Sequence, residues 1–156
     1  MKKQILFTLC LVLCTGIIFA QAQVSKKLPA KQPVPELTKL LTGTGLPFKV
    51  VNDSLVVIPY EGENIESYQV VLQKVSDLYI VYTNLSEAIP GKLTEAQYKY
   101  LLQRNDEFDL IKIGLADDDN FYLRADLYKS IATTPIIKRI ISQVANATNI
   151  IAGALK

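Results

Sequence analysis

Histidine and tryptophan are absent from this chain of 156 residues, and its two cysteines, Cys10 and Cys14, both fall in the N-terminal segment. Those gaps remove whole classes of chemistry. Without histidine, neither a Ser-His-Asp nor a Cys-His nucleophilic arrangement can be assembled, and structural zinc loses its usual ligands. No glycine-rich phosphate loop occurs either, because Gly43-Thr44-Gly45 is too short and precedes a strand rather than a helix. Two facing carboxylates would be needed for a glycosidase, but the acids here cluster in turns and at helix starts. The expectation is therefore a chain that is not an enzyme, with no catalytic residue, no cofactor and no metal.

What is present begins with a segment that reads as an export signal. Lys2 and Lys3 form a positive start, Ile5 to Phe19 is an uncharged and mostly apolar run, and Ala20-Gln21-Ala22 sets small residues before a cut between Ala22 and Gln23. An uncleaved membrane anchor is the bland alternative, yet the run falls short of the roughly 20 residues that cross a bilayer core. Leu11-Val12-Leu13-Cys14 has the outline of a lipobox, but Leu13 stands where a small residue is usual, and the apolar run continues past Cys14.

Cleavage changes the remaining composition. It removes both cysteines, so no disulfide framework is left in a compartment that permits one. It also removes Lys2 and Lys3 from the 17 basic residues and none of the 15 acidic ones, which brings the formal charge to zero. A neutral domain gives no electrostatic case for nucleic acid or for an anionic membrane as partner. The expected address is outside the inner membrane, periplasmic or extracellular, with no membrane association once the signal is gone.

Along the chain, residues 23–35 carry Pro29, Pro33 and Pro35 without periodicity and read as a flexible linker. A single domain is expected over 36–156. Leu37, Leu40 and Leu41 predict a helix over Glu36 to Thr42, ended by Gly43 and Gly45. Strands are predicted at Phe48 to Val51, Leu55 to Pro59, Tyr68 to Val75 and Leu78 to Leu85. Leu78 to Tyr82 is apolar on both faces, which predicts a central strand. Ile89-Pro90 breaks the chain, and Thr94-Glu95-Ala96-Gln97 has the form of a capping box opening a helix to about Arg104.

A second hairpin is predicted from Leu110 to Leu115 and Phe121 to Ala125. Ile111, Ile113 and Leu115 would share one face, joined by the turn Asp117-Asp118-Asp119-Asn120. After Thr133-Thr134-Pro135 comes the longest helix, to about Ala154. Its expected apolar stripe is Ile136, Ile137, Ile140, Ile141, Val144, Thr148, Ile151 and Leu155. The order α-β-β-β-β-α-β-β-α predicts an α+β fold, an antiparallel sheet covered by helices.

With its residues, that order resembles the YbjN-like and type III secretion chaperone-like family over about Glu36 to Leu155. The more telling parts are Leu40-Leu41 before Gly45-Leu46-Pro47-Phe48, and the strands around Tyr68-Gln69-Val70-Val71 and Leu78-Tyr79-Ile80-Val81. Ile89-Pro90, the helix ending Leu101-Leu102-Gln103-Arg104-Asn105, and the hairpin Ile111 to Leu115 with Phe121-Tyr122-Leu123-Arg124 complete it. Asn105 is similar to the asparagine with which the family ends that helix. The resemblance implies a secretion-chaperone-like fold that binds other proteins, often as a dimer, with no known chemistry. An export signal departs from the cytoplasmic secretion chaperones.

Two constellations remain. The Asp117–Asn120 turn could offer oxygen ligands to a cation such as calcium, but it lacks the spaced ligands, central glycine and terminal Glu of an EF-hand. A hairpin tip is the plainer reading. Eight tyrosines are present, and tyrosine suits interfaces because an apolar ring ends in a polar tip. Tyr68, Tyr79, Tyr82 and Tyr122 are the candidate partner-binding residues, although strand tyrosines are more often core-boundary residues. The expected function is an exported, non-catalytic protein-binding module, chaperone-like or regulatory, possible as a homodimer. The alternative is a periplasmic carrier of a small ligand or metal in a sheet–helix crevice.

Overall fold

Leu55 to Tyr60 and Phe121 to Tyr128 alternate buried and accessible residues, the period-two pattern that gives a strand one core face. A computed structural model describes residues 35–86, 93–117 and 119–156. The expected signal peptide (residues 1–22) with its cut at Ala22 and Gln23, linker residues 23–34, Ile89-Pro90 and Asp118 lie outside the described residues.

The elements run α1 (Glu36–Thr42), β1 (Lys49–Asn52), β2 (Leu55–Tyr60), β3 (Tyr68–Val75), β4 (Leu78–Asn84), α2 (Glu95–Arg104), β5 (Lys112–Leu115), β6 (Phe121–Tyr128) and α3 (Thr134–Leu155). A 3-10 turn at Lys129–Ile131 joins the last two. Six strands form one antiparallel sheet in the order β1-β2-β3-β4-β6-β5. The chain is thus α+β, an antiparallel sheet with helices on it, as its element order predicted. β3 and β4 lie in the middle, and β5 hangs on the outside of β6 because α2 separates it from β4.

Burial explains the layering. α3 lays Ile137, Ile140, Ile141, Val144 and Ile151 on Val56, Ile58, Val70, Leu72, Val81 and Leu123, all nearly inaccessible. Each such side chain contributes about 1.5–3 kcal/mol by leaving water. Ala145, Ala147 and Ala152 are buried on the same helix, so small side chains let its backbone approach the sheet. Leu37 and Leu41 of α1 close one end of this core.

The ends of the helices carry their own polar ties. At α2, Gln97 N–H donates to Thr94 Oγ1 at 3.3 Å and Thr94 N–H donates to Gln97 Oε1 at 2.9 Å, so the capping box forms. Gln97 Nε2 also donates to Leu155 O at 2.9 Å, fastening α2 to the end of α3. Past α1, Thr134 Oγ1 donates to Leu40 O at 3.1 Å, and Gly45 takes φ +73°, which L residues with a Cβ resist.

Several boundaries and faces differ from the sequence reading. β5 begins at Lys112 rather than Leu110 because Leu110 sits at φ +63°, outside the strand region. β6 continues to Tyr128, since β4 offers it a partner as far as Leu78. β1 is displaced by one residue to Lys49–Asn52, with an irregularity between Val50 and Asn52. Leu115 and Ile136 are exposed instead of sharing the buried stripes, because β5 is an edge and Ile136 lies in the first turn of α3. Asn149 lies off the expected apolar stripe, yet it accepts from Asn64 N–H at 2.9 Å and pins the 61–66 loop to α3.

Candidate functional site

Among the described residues, all three helices pack on one face of the sheet and none lies on the other. Registers place one row straight across that second face: Lys49, Val57, Val71, Tyr82, Arg124 and Lys112, one residue from each strand. Its centre is apolar and both ends are basic. A parallel row holds Leu55, Gln73, Ile80 and Asp126. Val57, Val71, Ile80 and Tyr82 are half-buried. β4 is therefore central, but its second apolar face meets no described helix.

Charge on this face is partly paired. Arg124 Nε donates to Asp126 Oδ1 at 2.6 Å, and Lys112 Nζ stands 3.9 Å from Asp126 Oδ2. With Lys49 at the other end, three cations and one carboxylate occupy the two rows. Exposed pairs of this kind add little stability, about 0–1 kcal/mol, and so remain available to a competing anion.

The four candidate tyrosines divide between the faces. Tyr82 and Tyr122 stand on the helix-free face. There the Tyr122 ring lies over Gly114, where an added Cβ would clash with it. Tyr68 and Tyr79 point to the covered face. Tyr68 Oη donates to Ala145 O at 2.9 Å and its ring stacks on Tyr60 at 5.8 Å; burial, with the Tyr60 hydroxyl beside it, raises its pKa. Tyr79 is 4% exposed and its hydroxyl donates to Glu36 of α1. Burial, then that bond, holds the Tyr79 phenol protonated well past the usual range. Of the four, Tyr82 and Tyr122 thus lie on the helix-free face and Tyr68 and Tyr79 on the covered one.

Sequence reasoning overlooked Val57, Val71, Lys49, Lys112 and Arg124. Val57 and Val71 carried a usable signal, since β2 and β3 each have more valine, isoleucine and leucine than one face requires. The basic ends carried none, because their alignment is set by pairing between distant strands. A concavity of about 870 Å³ opens on this face beside Pro59, Gln69, Val71 and Tyr82. Between sheet and helix, a crevice by Tyr60, Ser142 and Asn146 measures about 230 Å³ and one by Leu127, Tyr128, Ile136 and Ile140 about 500 Å³, the second within the roughly 300–1,000 Å³ usual for a small-molecule site.

At the acidic turn, Asp119 takes φ +61°, its N–H donates to Ala116 O at 3.0 Å, and Ala116 N–H donates to Asn120 O at 2.9 Å. These are the bonds of a hairpin tip. Among the described residues, no three His, Cys, Asp or Glu side chains gather into a metal-ligand group. No described helix is long and apolar enough to cross a membrane.

No protein-family model matches the chain, and no curated protein matches it by sequence. Among solved structures, the chain is similar to one in the heterodimeric complex ExoU-SpcU from the type III secretion system of Pseudomonas aeruginosa. The TM-score is 0.56 at 16% sequence identity, covering 77% of this chain and 98% of that one. At that identity the likeness speaks for the fold alone.

Proposed function

We propose that this chain is a non-catalytic, exported protein-binding module of YbjN-like kind, chaperone-like or regulatory, working in the periplasm or outside the cell. The observation that carries the reading is the helix-free sheet face, with Val57, Val71 and Tyr82 at its centre and Lys49, Arg124 and Lys112 at the ends of the same row. An apolar patch inside a polar rim is the usual anatomy of a protein interface. The basic ends select a partner whose own apolar patch is flanked by carboxylates.

Two further points support the class. The similar solved chain belongs to a heterodimeric protein complex. The chain also has no histidine with which to build the commoner acid–base and nucleophilic sites. Export rests on the Lys2-Lys3 start, the apolar run and Ala20-Gln21-Ala22.

The test is a photo-crosslinking residue placed at Val71 in the full-length chain in cells, with Lys138 on the outer side of α3 as control. A discrete adduct at 71, weakened by salt and by Tyr82→Asp, is expected. Equal labelling from both positions would sink the reading. Sequencing the processed N-terminus checks export, with Gln23 as the expected first residue.

A further inference from the structure

Side chains on a strand usually stand off the sheet, but the Tyr122 ring lies down on it. Its Cε2, Cζ and Oη occupy the space that a side chain at Gly114 would fill. Covering a strand glycine in this way shields the backbone there, which accounts for one side of the ring. The other side lines a concavity of about 540 Å³ together with Asn84, Asn120 and Arg124.

Register places this ring at the end of a row of its own. Tyr122 pairs with Gly114 on one side and with Asn84 on the other. Two residues along from the Val71–Tyr82 pair, Gln69 stands next to Asn84, and Pro59 pairs with Gln69. The row Pro59, Gln69, Asn84 and Tyr122 therefore crosses four strands, about 15 Å at the usual strand spacing. Asn84 Oδ1 accepts from Ser86 N–H at 3.0 Å, which holds that amide in position. The concavities of about 870 and 540 Å³ share Tyr82 and Asn84 and run along the row.

No residue of the row is charged. Its two amides can each donate and accept, and the ring offers a flat face of negative charge. A sugar matches both features, because its hydroxyls pair with amides and its C–H side settles on an aromatic face. We infer that this row binds a neutral oligosaccharide, with one sugar stacked on Tyr122 and the hydroxyls of the chain paired to Gln69 and Asn84. Four strands of width suit a short chain of sugars rather than a single one.

Other occupants fit less well. A nucleic acid would stack on the ring, but its phosphates need cations, and Arg124 beside the row is already bonded to Asp126 at 2.6 Å. The apolar centre of a protein partner would leave the two amides unpaired. A second copy laid on the same row would set trough against trough and enclose unfilled space. The inference goes beyond the protein-binding reading, which rests on Val57, Val71 and Tyr82 in the next row, so either can fail alone.

The test titrates the full-length protein with neutral hexasaccharides of glucose, mannose, galactose and N-acetylglucosamine, following amide chemical shifts. At least one is expected to give saturable shifts at Gln69, Asn84 and Tyr122. Tyr122→Ala should weaken that binding by at least about tenfold, whereas Tyr122→Phe, which keeps the ring, should hold it within about twofold. Gly114→Val, which forces the ring off the sheet, should weaken it as Tyr122→Ala does, and Gln69→Ala gives a further reading should either variant misfold. Absence of saturable shifts with all four sugars would overturn the inference, as would unchanged binding by Gly114→Val and Gln69→Ala. A hexauronate that binds more tightly than every neutral chain would overturn the neutral class. Shifts in the row that grow with protein concentration and block the sugars would put a second copy there and overturn it too.

Discussion

One sheet presents two faces made of much the same residues, and only their neighbours differ. On the covered side, Val56, Val70 and Val81 are sealed under α3. On the other side, Val57 and Val71 sit one residue away in the same strands and meet no described helix. Valine and isoleucine on both faces satisfy the strand preference for β-branched residues twice over, but fold stability accounts for only one face. The surplus on the second face is what a binding surface requires.

The sharpest break of this comparison is a pair of substitutions, one on each face. Ile141→Ala on the covered side removes a fully buried side chain from α3 and is expected to cost about 2–5 kcal/mol. Val71→Thr on the other side should cost about 1 kcal/mol or less, as surface changes usually do. Urea unfolding of the two variants measures both. Similar losses would mean that the second face is also a core face.

Next in size is Asn105→Ala. The substitution leaves both the N–H and the C=O of Ile113 without their partner at a half-buried edge, an expected loss of about 1–3 kcal/mol. Exchange of the Ile113 amide should accelerate more than exchange at β3 or β4. If the two faces are independent, Tyr82 and its row should keep their chemical shifts.

Much of the fold was legible because its signals are local. The capping box at Thr94 and Gln97, Pro135 in the first turn of α3, and the alternation in β6 depend on residues within a turn or a strand of each other. What the sequence could not show depends on distance. Tyr68 and Tyr82 look alike as strand tyrosines, yet pairing register sends one to Ala145 and the other to the helix-free row. The position-by-position match of Lys49 with Val57 and of Lys112 with Arg124 is likewise invisible before the strands are aligned. The side chain of Leu110 suits a strand, whereas its φ of +63° keeps it out of β5, which Asn105 anchors at Ile113, three residues on.

A smaller effect sharpens the comparison from the helix-free side. Gly114→Val places a Cβ where the Tyr122 ring lies, and the ring must swing away. Because the ring is the free end of a flexible side chain, the cost to stability should be about 1 kcal/mol or less. Its near-ultraviolet circular dichroism should nonetheless change, and so should any partner contact made by Tyr122. An unchanged tyrosine signal would show that Tyr122 does not rest on Gly114.

The smallest expected effect concerns how the covered face is latched. Glu36 accepts from the Tyr79 hydroxyl and stands 2.9 Å from Lys74 Nζ, so its carboxyl lies below the ordinary value, first through Tyr79 and then through Lys74. A lowered folded-state pKa means that this contribution is present above the ordinary carboxylate range and fades as pH falls through it. Tyr79 is shifted upward, by burial and then by Glu36. Its share is complete below the ordinary tyrosine range and fades only as strong alkali ionises the phenol. Glu36 is 48% exposed, so solvent screens the pair and the total should stay under about 1 kcal/mol. Glu36→Gln should therefore flatten the acid limb of a melting-temperature-against-pH curve and leave the neutral plateau nearly unmoved. Tyr79→Phe should remove the same acid dependence in part, since Lys74 remains. Among the described residues, the ion pairs of the helix-free face stay among the strands and tie no helix to it, so Val71→Thr should leave the shape of the curve unaltered. A Val71→Thr curve with a changed acid limb would mean that the two faces communicate through the sheet.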